Sequence, residues 1–257
     1  MKRTFRTRIL SVAAWTASLF SAALLHAQDK PPVIQTNAPW ESSAALGFTL
    51  TRGNSENALL TATILTQRKS PADEIALGAN GAYGETTDTK TDKTTRNAAL
   101  LHGFAQYNRF FTTNWYGYAR VDGLHDDVAD ISYRISFSPG VGYYFIKNDQ
   151  TRLSAEVGPG VVNERVGDQT DTYATLRLAE KFEHKFNASV KLWQSFEFLP
   201  QVDYWKNYII NAEVGVEAAL NKQLALRTSV LDTYDNVPAP GRKNNDIKLV
   251  TAIAYKF

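Results

Sequence analysis

Tyr133-Arg134-Ile135-Ser136-Phe137-Ser138-Pro139-Gly140-Val141-Gly142-Tyr143-Tyr144-Phe145 alternates from end to end. Its odd positions are apolar or aromatic; its even positions are polar or small, Tyr144 excepted. Successive side chains of a strand point to opposite faces, so this period of two describes a strand with one apolar face and fits no helix. Tyr133 and Tyr143 lie ten residues apart on that face. At ~3.3 Å per residue and a ~40° tilt they stand roughly 25 Å apart along a membrane normal, the height of the apolar band between the aromatic girdles of a membrane barrel.

The pattern continues on both sides. Leu153, Ala155, Val157, Pro159 and Val161 alternate with Ser154, Glu156, Gly158 and Gly160, and Ala212, Val214, Val216, Ala218 and Leu220 with Asn211, Glu213, Gly215 and Glu217. About twelve strands are expected, near 42–52, 57–69, 73–84, 95–110, 115–125, 131–146, 151–164, 172–185, 189–203, 208–220, 223–235 and 246–257. An even count returns both ends to the periplasm. Short turns (Thr112-Thr113-Asn114, Lys147 to Gln150, Asn187-Ala188, Asn221-Lys222) fall on one side, and the longest polar loops, Glu85 to Thr94 and Asn236 to Asn245, on the other. This is the asymmetry of periplasmic turns and outer loops. Aromatic residues gather at the periplasmic ends (Phe110, Phe111, Trp115, Tyr143, Phe145, Phe182, Phe186, Tyr255, Phe257) and at the outer ends (Tyr83, Tyr133, Tyr173, Tyr204, Trp205, Tyr208, Tyr234). Ile247, Leu249, Ile253, Tyr255 and Phe257 share a face of the last strand, with Tyr255 and Phe257 as its assembly signal. The fold class is all-β: a transmembrane antiparallel up-and-down barrel closed by the C-terminal strand.

The N-terminus reads differently. Lys2, Arg3, Arg6 and Arg8 precede an uncharged apolar run from Ile9 to Leu25, and Leu25-His26-Ala27 offers a cleavage site. Residues 1–27 are therefore a secretory signal peptide, 28–40 a Pro-rich periplasmic tail, and 41–257 the barrel. Removing the four signal bases from 28 leaves 24 against 26 acids, a mature net charge of −2. That balance, with no basic run, argues against nucleic-acid binding. The chain has no cysteine, which excludes a lipid-anchored Cys, disulfides and thiolate metal sites. Its expected partners are outer-membrane lipid and lipopolysaccharide, periplasmic chaperones and the barrel assembly machinery; no cofactor is called for.

Leu46-Gly47-Phe48-Thr49-Leu50-Thr51-Arg52-Gly53-Asn54-Ser55, Gly140-Val141-Gly142-Tyr143-Tyr144, Leu153-Ser154-Ala155-Glu156-Val157-Gly158-Pro159-Gly160 and the ending Tyr255-Lys256-Phe257 together resemble a family of unknown function whose members are often labelled salt-induced outer membrane protein. The resemblance spans nearly the whole mature chain. It implies an outer-membrane barrel and supplies no catalytic residues.

Parity puts Arg134, Glu156, Arg177, Lys191, Glu197, Glu213, Glu217, Arg227 and Lys248 inside, where they would form a ladder of paired charges or line an ion-selective lumen. A lipid hydrolase would need a His beside a Ser; among His102, Ser132, Ser136, Ser138, Asn97 and Asn108 no Gly-x-Ser-x-Gly element occurs, and His102 faces inward. The expectation is a non-enzymatic barrel with a structural or stress-related role in the envelope, passing at most small solutes, with a selective narrow channel as the alternative and a phospholipid hydrolase as a remote one. His125, Asp126, Asp127, Asp130, Asp168 and Asp171 form an acidic outer rim whose spacing fits no calcium loop. Arg52-Gly53-Asn54-Ser55 reads as a tight turn. Pairing about Asp149 sets Pro139 opposite Pro159 and Gly140 opposite Gly158. The glycines 140, 142, 158 and 160 would then thin the inner wall, leaving room for a bulky neighbour or a passage.

Overall fold

The structure, a computed structural model, describes residues 39–51 and 55–257. The expected signal peptide, all but the end of the expected tail and the turn residues 52–54 lie outside the described residues. The described residues form twelve antiparallel strands and no helix: β1 (Trp40–Thr51), β2 (Ser55–Lys69), β3 (Asp73–Asp88), β4 (Lys93–Phe110), β5 (Trp115–Asp126), β6 (Ile131–Lys147), β7 (Thr151–Val166), β8 (Gln169–Lys185), β9 (Val190–Pro200), β10 (Tyr208–Ala219), β11 (Leu224–Asp235) and β12 (Asn245–Lys256). Each strand pairs with its sequence neighbours, and β12 returns to β1 to close the barrel. Every strand thus has a partner on both sides, as spanning a bilayer with strands requires.

Strand ends depart from expectation where side chains extend the ladder. β3 runs on to Asp88 rather than 84 and β4 begins at Lys93 rather than 95, because the threonines there suit a strand; Thr87 and Thr94 pair across it at 2.8 Å. β7 and β8 continue to a turn at Gly167, whose φ of 58° suits glycine. β9 stops at Pro200 rather than 203, since residues 201–207 fold into a loop.

The five short turns share one device. A Ser, Thr or Asn side chain accepts hydrogen bonds from the backbone N–H groups two and three residues on: Ser70 from Ala72 and Asp73, Thr112 from Asn114 and Trp115, Asn148 from Gln150 and Thr151, Asn187 from Ser189 and Val190, Asn221 from Gln223 and Leu224. The side chain imitates a backbone turn and so holds the register of each hairpin.

The outer face is apolar: Val141, Val157, Val214, Leu249 and Ile253 are all exposed. On the opposite parity Tyr116, Ser138, Ser154, Glu156, Arg177 and Ala254 are buried. A molecule with its apolar side chains outside and its charges inside has lipid as its solvent. Two expected girdle residues do not belong to the girdle. Phe110 is buried inside with Tyr116, Tyr118 and Tyr144, and Tyr173 turns inward to donate to Glu164 at 2.9 Å. Both lie on the inward parity of their strands, which proximity to a strand end does not override.

Pairs flanking the prolines, Phe137↔Val161 and Val141↔Val157, keep the register that sets Pro139 opposite Pro159. Within it, a Cβ on Gly140 would come 2.7 Å from the Tyr118 ring, and one on Gly142 2.3 Å from that of Tyr116. Gly140 and Gly142 make room for these rings, whereas a Cβ on Gly158 would come 2.1 Å from the Pro139 carbonyl oxygen and one on Gly160 2.6 Å from the Thr175 hydroxyl.

The closing seam is short. β1 and β12 pair only from Ser43↔Lys256 to Leu46↔Ile253, whereas β1 pairs with β2 along its full length. The Phe257 backbone adds two bonds to Ser42, at 3.0 and 3.2 Å.

Candidate functional site

The candidate site is the lumen. Register and alternation bring all nine expected charges to its wall, and hydrogen bonds between non-neighbouring strands show how the two sides of the wall meet. Three levels can be distinguished.

At the short-turn end, Glu74 on β3 accepts from Arg152 on β7, from the Tyr144 hydroxyl on β6 at 2.8 Å and from the Asn108 amide on β4 at 3.3 Å. Phe110, Tyr116 and Tyr144 cluster beside it with centroids 5.3–6.0 Å apart. The Lys147 ammonium sits 3.4 Å from the Phe110 ring centroid.

In the middle, Glu156 on β7 is the hub. It accepts from Arg177 at 2.7 Å, from Gln106 across the lumen on β4 at 2.8 Å and from Tyr116 at 3.0 Å, with Lys181 at 3.5 Å. Arg177 also donates to Glu197 at 2.6 Å, and Gln106 accepts from Arg120 and Lys181. Glu156 and Arg177 are only 4 % and 2 % exposed, so their charges persist because each is bonded on several sides.

Toward the long-loop end, Arg134 on β6 donates to Glu164 on β7 and, at 2.8 Å, to Asp235 on β11, nearly opposite in the ring. Lys248 on β12 approaches Asp126 on β5 at 3.9 Å, a second chord of the barrel.

The remaining expected residues lie on the β8–β12 side. Glu217 pairs with Arg227 at 2.7 Å and with Lys256 at 2.6 Å, and Lys191 with Glu183 at 3.7 Å. Trp193 lies over Gly215, where a Cβ would come 2.1 Å from the indole. Glu213, on the same wall, has no ion pair or side-chain hydrogen bond among the described residues.

Parity alone could have added Glu164, Asp235 and Arg152 to the expected set. The chords they make could not be read, because those depend on which strands face one another after closure. His102 bonds Asn80 at 2.9 Å and Asp122 at 3.3 Å and contacts no serine among the described residues. At the acidic rim, Asp126 caps the backbone of Val128 and Ala129, and Asp127 pairs with Arg96 at 2.7 Å. No group of three or more His, Cys, Asp or Glu able to hold a metal occurs among the described residues. Tyr255 and Phe257 stack with centroids 6.1 Å apart on the outer face.

Among solved structures the chain is similar to the translocator domain of the autotransporter NalP from Neisseria meningitidis, at 10 % identity, covering 87 % of this chain and 90 % of that one with a TM-score of 0.46. It is similar to an outer membrane channel from Pseudomonas putida F1 at 9 % identity, 91 % and 100 % coverage and a TM-score of 0.49. It is also similar to the NanC porin at 6 % identity, 85 % and 99 % coverage and a TM-score of 0.49. No curated protein matches the chain. Residues 44–257, nearly the whole barrel, match the model of the family described as protein of unknown function, DUF481, and the chain belongs to that family.

Proposed function

We propose that this chain is a non-enzymatic outer-membrane barrel of the envelope, exported by a cleaved signal peptide, whose lumen is held shut by its own ion pairs. Its role on this reading is structural, and small solutes pass only when the bridges part. The observation that carries the reading is the pair of contacts spanning the ring, Arg152 to Glu74 and Arg134 to Asp235. A solute must break charge-assisted bonds at two levels to pass, and such bonds are stronger in a confined, poorly hydrated lumen than in water.

A selective channel is the second reading. Glu213 favours it, as an inward carboxylate left free to meet a passing cation.

The test is twofold. Mature protein should remain in the membrane pellet after carbonate extraction and migrate faster unheated than heated. Refolded into planar bilayers, it should show no steady conductance. Release into the soluble fraction would overturn the membrane assignment, and a steady porin-like current would overturn the closed lumen in favour of the channel.

A further inference from the structure

A carboxylate and its amide partner face outward from the wall. Glu180 and Gln194 have the outward parity of β8 and β9, opposite to Arg177 and Glu197, and the Gln194 amide donates to the Glu180 carboxylate at 3.0 Å. Glu180 stands five residues above Lys185, the periplasmic end of β8, and Gln194 four above Val190, the start of β9. At ~3.3 Å per residue and a ~40° tilt that is roughly 10–13 Å into the barrel wall, inside the apolar band. The neighbours agree. Leu153, Phe182 and Leu192 lie below the pair on the same outer face, and Val157, Leu178 and Phe196 above it.

A carboxylate facing acyl chains is costly, and ionisable groups at that depth normally meet a partner. Gln194 satisfies one Glu180 oxygen. The other oxygen, the second amide proton and the amide oxygen of Gln194 have no partner among the described residues. Lipid tails offer them nothing.

We propose that this patch is where a second copy of the chain docks, side by side in the membrane. Two copies inserted in the same sense share depth and orientation, so a polar pair at one depth in the first always meets the same pair in the second. A twofold axis along the bilayer normal lets Gln194 of each copy donate to Glu180 of the other. The patch holds both donor and acceptor, so it complements itself. Ala155, the ladder partner of Glu180, presents only a methyl group there and allows close approach.

The chain lacks cysteine, which makes the test direct. Ala155→Cys should cross-link to a homodimer in native membranes, while Ile64→Cys, five residues above Lys69 on the opposite side of the barrel, should not. Glu180→Leu with Gln194→Leu should weaken dimerisation roughly tenfold or more in sedimentation of the refolded protein, since two reciprocal bonds are lost. The substitution places leucine against lipid and should leave assembly intact. The inference rests on membrane insertion, so each sample is first checked for heat-modifiable migration; loss of that shift in the wild type indicts insertion, not docking. An assembled barrel in which Ala155→Cys gives no homodimer, gives an adduct only with another protein, or whose leucine variant dimerises as before overturns the proposal.

Discussion

Which wall a side chain faces determines what a substitution there does. Val214 and Glu213 are adjacent, yet Val214 is exposed on the apolar outside and Glu213 turns into the lumen. Val214→Arg should cost about 2–4 kcal/mol in urea unfolding from lipid vesicles, because it drives a charge into lipid near mid-depth. Glu213→Arg should cost well under half as much, since its side chain points into the charged lumen rather than into lipid; equal costs would mean the register is off by one residue. Inside, removing one member of a bonded set is worse than removing the whole. Arg177→Met leaves Glu156 and Glu197 without their shared cation and should cost about 3–5 kcal/mol. Adding Glu197→Gln should recover most of that loss, because Glu156 then keeps Lys181 as its cation. If the double variant is no more stable than the single one, the network stabilises by geometry rather than by charge balance.

The strands show where local packing sets limits. Gly142 lies beneath Tyr116, which is 1 % exposed and fixed by its bond to Glu156. Gly142→Ala should therefore destabilise by about 1–3 kcal/mol, whereas Gly123→Ala, with nothing within 4 Å of the added carbon, should be neutral or slightly stabilising in the same unfolding assay. The twelve strands, their faces and their hairpin register were legible in the sequence because each depends on alternation and on turn residues close along the chain. For Phe110 and Tyr173, aromatic identity near a strand end points to the girdle, but parity points inward and prevails. The same parity sets Glu180 and Gln194 apart from Arg177 and Glu197. The weak seam was not legible at all, since it joins residues more than two hundred positions apart and no turn fixes it. Deleting Phe257 removes both of its bonds to Ser42 and leaves closure to the stretch Ser43–Leu46. The heat-modifiable fraction should fall markedly on deletion; unchanged assembly would mean that the seam needs neither the bonds nor the terminal aromatic.

Taken as one object, the barrel places its interior bridges in series along the axis. On the proposed closed-lumen reading the Glu74–Arg152 bridge shuts the periplasmic end and the Arg134–Asp235 bridge the outer end, with the Glu156 network between. Current through elements in series is set by the tightest, so opening one end alone should yield almost nothing. Arg134→Ala frees the outer chord but leaves Glu74, Tyr144 and Arg152 joined, and Arg152→Ala leaves Arg134 across the opposite mouth. The Glu156 hub lies between, and its bond from Gln106 ties β7 to β4 across the lumen. The three substitutions Arg134→Ala, Arg152→Ala and Gln106→Ala remove one chord from each level while leaving every acidic residue in place. The expected outcome in planar bilayers is silence for each single variant and a cation-preferring current for the triple one, because the exposed lumen then carries uncompensated carboxylates, Glu213 among them. That cation preference should weaken when Glu213→Gln is added. A single variant that conducts as well as the triple one would show that one bridge alone seals the barrel, and an assembled triple variant that stays silent even when Lys248→Ala is added would show that the clustered rings of Phe110, Tyr116 and Tyr144, not these bridges, are what fill it.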